Sequence, residues 1–294
     1  MGNMANSSYE NILSLLKRND LTSSEIEAVA GSRFISQYRI QKAILFNPST
    51  PLKISLQYIN YLRYRDLENL AACPFIPHIL KTKSEKLLVI RYSSLTLGEK
   101  SELSKRTRVR ALLYLLLDEN NQRIWEYTLI NPSLLEKDLV LYIRTRLKNG
   151  ILAQYILESP RWRVNYAINR SLAYNCDTPV QELHKIAGRL LIRDMSEIFR
   201  DDSVKSETKT VIWHILKKKI FEMDENMQIL LCESSNRWVL NALIEQSKPV
   251  LIKKLLKNRH ISKNQLMIIK NNISKITEND IDKREILACI RGKL

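Results

Sequence analysis

The residues of this chain whose types and spacing could do chemistry are cationic and aromatic. Arg161-Trp162-Arg163 places a large ring between two guanidiniums. Such a group can contact phosphates while stacking on a base, or can anchor a protein partner. Lys105-Arg106-Thr107-Arg108-Val109-Arg110 is read as a basic run opening a helix. Arg144, Arg146 and Lys148 close another helix, and Arg170 follows Arg161 and Arg163 further along. The candidate polyanion- or partner-binding set is therefore Arg106, Arg108, Arg110, Arg144, Arg146, Arg161, Trp162, Arg163 and Arg170. A formal charge of +16 favours polyanionic partners: nucleic acid, acidic protein faces or anionic lipid. The competing reading is a set of solvated helix faces, with cations near helix C-termini complementing the dipole, as Lys217-Lys218-Lys219 would do. Trp125, Trp162, Trp213 and Trp238 have a structural reading as well, packing against the preceding helices.

Other chemistry finds no support. Six glycines cannot assemble a phosphate-cradling loop, and no GxSxG, HExxH or kinase signature is present. Cys73, Cys176, Cys232 and Cys289 are far apart and form no CxxC pair, so they are expected as small buried hydrophobes in a reducing compartment. His78, His184, His214 and His260 are equally scattered. No catalytic residue, cofactor, metal or small-molecule substrate is expected. Met1 to Ser8 lacks a secretory pattern, and Asn6 stands where a myristoylation motif needs Ser or Thr. Apolar runs such as Ala111 to Leu117 are too short to span a bilayer. A cytoplasmic protein without membrane contact is the expectation.

The elements that must position these cations are helices, and they repeat. Few Gly and Pro argue against turn-rich β architecture. Setting Pro51 over Pro179, an offset of 128, aligns Tyr38 with Tyr166, Asn47 with Asn175, Thr50 with Thr178, Leu62 with Leu190, Arg65 with Arg193 and Asp66 with Asp194. A second offset, 114, aligns Leu116-Leu117 with Leu230-Leu231 and Arg123 with Arg237. The first of these stretches runs into Asn131-Pro132-Ser133, another version of the Asn turn. The turn predicts its own mechanism: Asn ends a helix in the left-handed region, Pro blocks continuation, and Thr with Pro opens the next helix. Asp66 and Asp194 are expected to cap the helices they precede. Leu183, Ile186, Ala187, Leu190 and Leu191 form one apolar stripe; Leu135, Leu139, Ile143 and Leu147 form another. A third is Val109, Leu112, Leu113, Leu116 and Leu117, on a helix predicted between Lys105 and Leu117. A helix pair with one apolar face buries it by stacking on its neighbours.

The Asn-Pro-x-Thr-Pro turn, the leucine-patterned helix and the Arg65-Asp66-Leu67 and Arg193-Asp194-Met195 steps resemble bacterial leucine-rich-repeat-variant and HEAT-like helical repeats. The order Leu97-Gly98-Glu99-Lys100, Leu116-Leu117-Asp118, Asn131-Pro132, Ser159-Pro160-Arg161-Trp162 and Asn175 to Pro179 is similar to a group of uncharacterised bacterial repeat proteins, over roughly residues 35 to 216. The resemblance implies an all-α fold, a right-handed α–α superhelix (solenoid) of stacked helix pairs, and no known activity. The cysteine-rich iron–sulfur segment of some leucine-rich-variant proteins has no counterpart here. The expected organisation is a loose tail over 1–8, a helical-repeat solenoid over 9–223, and divergent helical repeats over 224–294 continuous with it.

A non-enzymatic scaffold for a protein partner follows as the leading expectation. Nucleic-acid binding through a basic solenoid surface is the alternative, and a HEAT-like DNA glycosylase acting on alkylated bases is the minor one, since no ordered motif of such enzymes is present.

Overall fold

The computed structural model describes residues 8–18 and 20–293. Among them the chain is all-helical, with 69% helix, 21 α-helices and no strand. The tail expected over 1–8 lies outside the described residues except for Ser8, whose hydroxyl accepts from the Asn11 N–H and caps the first helix. The chain forms two compact units, one up to Asp138 and one from Leu139 onward. Asp224, where the divergent repeats are expected to begin, caps a helix inside the second unit.

The first unit holds α1 (Tyr9–Leu16), α2 (Ser23–Ala30), α3 (Tyr38–Phe46), α4 (Leu52–Tyr58), α5 (Tyr64–Ala72), α6 (His78–Arg91), α7 (Leu97–Arg106), α8 (Arg110–Leu117) and α9 (Gln122–Ile130). The division falls in α10 (Glu136–Thr145). The second unit continues with α11 (Gly150–Glu158), α12 (Tyr166–Tyr174), α13 (Val180–Ala187), α14 (Ile192–Arg200), α15 (Ser206–Phe221) and α16 (Glu225–Leu231). It ends with α17 (Arg237–Gln246), α18 (Pro249–Leu255), α19 (Lys263–Asn271), α20 (Ile273–Ile276) and α21 (Asp280–Arg291). Packing is local along the chain in each unit. The principal contacts join helices no more than three places apart, such as α3 with α5, α5 with α6, α12 with α13 and α14 with α17.

Apolar stripes explain the cores. Leu112, Leu113, Leu116 and Leu117 of α8 are buried, as are Leu183, Ile186 and Ala187 of α13 and, after it, Leu190. Two stripe members depart from expectation: Leu135 and Leu191 are exposed, Leu135 standing just before α10 begins and Leu191 beyond the end of α13. No continuous helix runs from Lys105 to Leu117. Thr107, buried in an extended conformation, ends α7, and its hydroxyl accepts from the Val109 N–H before α8 starts. No helix among the described residues is long and apolar enough to cross a membrane.

Candidate interaction surface

The Asn turn works through its side chain. Asn47, Asn131 and Asn175 have ordinary negative φ with extended ψ, and Ser247 alone among the described residues other than glycine has positive φ. Each Asn donates both amide hydrogens to the end of an earlier helix. Asn131 Nδ2 reaches the carbonyls of Ser104 (2.9 Å) and Thr107 (3.2 Å), and Asn175 Nδ2 those of Ile143 (2.7 Å) and Leu147 (3.1 Å). Asn47 does the same to Leu16 (3.0 Å) and Arg18 (2.7 Å). Each Oδ1 accepts from the N–H two residues on, in Ser49, Ser133 and Asp177. Helix-end carbonyls lack intrahelical partners, so this amide joins one helix pair to the previous one. Thr50 and Thr178 turn backward too: their hydroxyls donate to the Ile44 and Leu172 carbonyls instead of capping α4 and α13.

Asp66 and Asp194 are not caps either. They lie in the first turns of α5 and α14, where each accepts from a tyrosine on the preceding first helix, Tyr38 or Tyr166. Each tyrosine oxygen in turn accepts from a backbone N–H, that of Arg63 or Leu191 (3.1 Å in both). Each aspartate also pairs with the cation four residues after its tyrosine, Lys42 (2.7 Å) or Arg170 (3.2 Å). Burial, with the carboxylate beside it, pushes both phenols above their ordinary value. The triad was within reach of the sequence, since Tyr38 and Tyr166 align at the same offset as the aspartates.

The same principle disposes of several candidate cations. Arg106 bridges Glu68 of α5 (3.3 Å) and Glu102 (3.4 Å). Arg110 pairs with the buried Asp138. Arg170 holds Asp194 and Glu197 (2.7 Å) of α14. These guanidiniums compensate buried carboxylates between helices, which would otherwise be costly to desolvate. Glu68 shows that cost: burial lifts its carboxyl above the ordinary value despite Arg106.

The remaining candidates divide. Trp162 is removed from the surface: it is 4% exposed, with the Arg161 guanidinium 4.3 Å from its ring centroid, so a stacking face toward a base is not presented. Burial lowers the Arg161 guanidinium from its ordinary value. Arg108 and Arg163 are exposed and make no ion pair with the described residues, and Arg146 is exposed beyond α10. Arg144 and Arg170 do come together, lining a cavity of about 340 Å³ with Tyr174, Asn175, Asp201 and Ser203. The basic set thus occupies several local environments. Among the other tryptophans Trp125 is core, its Nε1 donating to the Leu117 carbonyl (3.2 Å). Trp213 and Trp238 are half-buried and cluster with Phe199.

The cysteines differ from expectation. Cys232 is buried, its thiol pushed up to about 11 by that burial, but Cys73 is half-buried and Cys176 and Cys289 are exposed. No group of three or more His, Cys, Asp or Glu among the described residues could hold a metal ion.

One exposed feature recurs. Several helices carry a solvent-exposed apolar residue in their first two positions: Leu52, first in α4, and Ile79, second in α6, in the first unit; Val180, first in α13, and Val250, second in α18, in the second. Sequence reasoning did not single these residues out, because none of them belongs to an apolar stripe. No protein-family model, curated protein or solved structure matches this chain.

Proposed function

We propose that this chain is a non-enzymatic helical-repeat scaffold that binds a protein partner through apolar residues exposed at the starts of second helices. The observation that carries the reading is that Leu52, Ile79, Val180 and Val250 are exposed apolar residues within the first two positions of their helices. Single exposed apolar residues are ordinary on any surface. Repeated exposure of apolar residues at helix starts suits a surface read by a partner. Local packing within each unit supports stacked pairs of the leucine-rich-repeat-variant or HEAT-like kind, wound as a right-handed solenoid. The engagement of Arg106, Arg110 and Arg170 between helices weighs against a continuous phosphate-binding face.

Nucleic-acid binding is the second reading, favoured by the exposed Arg108 and Arg163 and by Arg144 on its cavity. Affinity capture from the native host, with and without nuclease, separates the two. The scaffold reading expects a protein retained after nuclease, lost on Ile79→Glu or Val180→Glu and kept on Arg108→Glu or Arg163→Glu. Capture abolished by nuclease, or the reverse pattern of variants, overturns it.

A further inference from the structure

A fourth copy of the Asn turn departs from the others at its tip. Asn258 donates to the carbonyls of Cys232 (2.6 Å) and Ser234 (2.9 Å), and its Oδ1 accepts from the N–H two residues on, in His260 (2.6 Å). This is the pattern of Asn47, Asn131 and Asn175. The fold therefore needs the asparagine, but it leaves the tip free. Pro48-Ser49, Pro132-Ser133 and Cys176-Asp177 occupy the tip elsewhere; here it is Arg259-His260, preceded by Lys257.

These three side chains line a cavity of about 310 Å³ together with Lys254 and Glu233. Lys257 and Arg259 are exposed and make no ion pair with the described residues. Arg259 Nε donates to His260 Nε2 (3.1 Å), which holds the guanidinium beside the imidazole. Lys293 reaches the same turn, its Nζ 3.0 Å from the Asn258 carbonyl oxygen. Glu233 is the carboxylate of the cavity, and Lys254 neutralises it at 2.8 Å and holds it below its ordinary value. What remains is a concentrated excess of positive charge with several N–H donors within one turn. That matches a compact, doubly charged, oxygen-rich anion.

We propose that the Lys257–His260 turn is a binding site for a single phosphomonoester group, held by Lys257, Arg259 and His260. The charge is local. Lys253, next along α18, is already engaged by Asp282 (2.6 Å) and Glu285 (2.8 Å), and Glu233 borders the cavity. A nucleic-acid strand carries a charge every few ångströms and needs a longer basic track. The site is independent of whether the scaffold reading holds.

The test titrates the full chain at low ionic strength with four probes: inorganic phosphate, a phosphoserine peptide, its unphosphorylated counterpart and a short single-stranded oligonucleotide. Phosphate or phosphopeptide is expected to bind. Lys257→Ala with Arg259→Ala is expected to weaken that binding by about tenfold or more, from the loss of two charge-assisted contacts. Arg259→Lys, which keeps the charge, retains more of the affinity, and Arg163→Ala changes nothing. A phosphopeptide much tighter than phosphate places the group on a protein partner; equal affinity assigns it to a small molecule, and both support the site. Three results overturn it: no phosphate binding by the native chain, unchanged affinity in the folded double variant, or oligonucleotide binding that phosphate does not compete.

Discussion

At the scale of single residues, the side chains that stand out in the sequence prove to be connectors. Asn131 is fully buried and carries two donated hydrogen bonds to helix-end carbonyls. Asn131→Ala leaves those carbonyls without that partner and is expected to cost about 2–3 kcal/mol in urea unfolding. A loss below about 0.5 kcal/mol, the size of an ordinary surface change, would contradict the connector role. The importance of Asn47, Asn131 and Asn175 was legible in their recurrence. Their mechanism was not, because an asparagine at a helix end has two well-known uses. The left-handed backbone is local and can be guessed; the amide bridge to a helix some 30 positions back depends on packing. The pairing of Arg106 with Glu68 and of Arg110 with Asp138 depends on packing in the same way.

At the scale of elements, the periodic apolar stripes located α8, α10 and α13. Their ends were less legible. Thr107 divides one predicted helix into α7 and α8 because its buried backbone is tied to Asn131, a contact remote in sequence. Two glycines test how helix starts and ends are packed. At Gly150, opening α11, an added Cβ would meet Pro179 Cγ at 3.0 Å and the Asp177 carbonyl at 3.1 Å, whereas at Gly188, closing α13, nothing lies within 4 Å. Gly188→Ala is expected to raise stability by about 0.4–1 kcal/mol through the unfolded chain. Gly150→Ala is expected to lose that benefit and fall below the parent, since the turn after Asn175 must shift. Equal effects in thermal melts would show that α11 and the Asn175 turn do not pack as described.

At the scale of the whole molecule, a net charge of +16 suggested a partner, but the fold uses much of that charge internally. Lys42, Lys100, Arg106, Arg110, Arg170 and Lys253 all face carboxylates, most of them on another helix. Composition counts charges and cannot show which are paired, so the candidate set mixed connectors with the exposed Arg108 and Arg163. Part of what the charge leaves over gathers at the Asn258 turn, and the recurrent exposed feature is apolar. The most direct test of this division compares urea unfolding of Arg170→Gln and Arg163→Gln. Arg170→Gln, which strips Asp194 and Glu197 of their guanidinium, is predicted to lower the unfolding free energy by about 1–2 kcal/mol. Arg163→Gln is predicted to leave the unfolding midpoint where it was. Equal stability of the two variants, with polyanion binding weakened by Arg170→Gln, would contradict the claim that the conspicuous cations join helices.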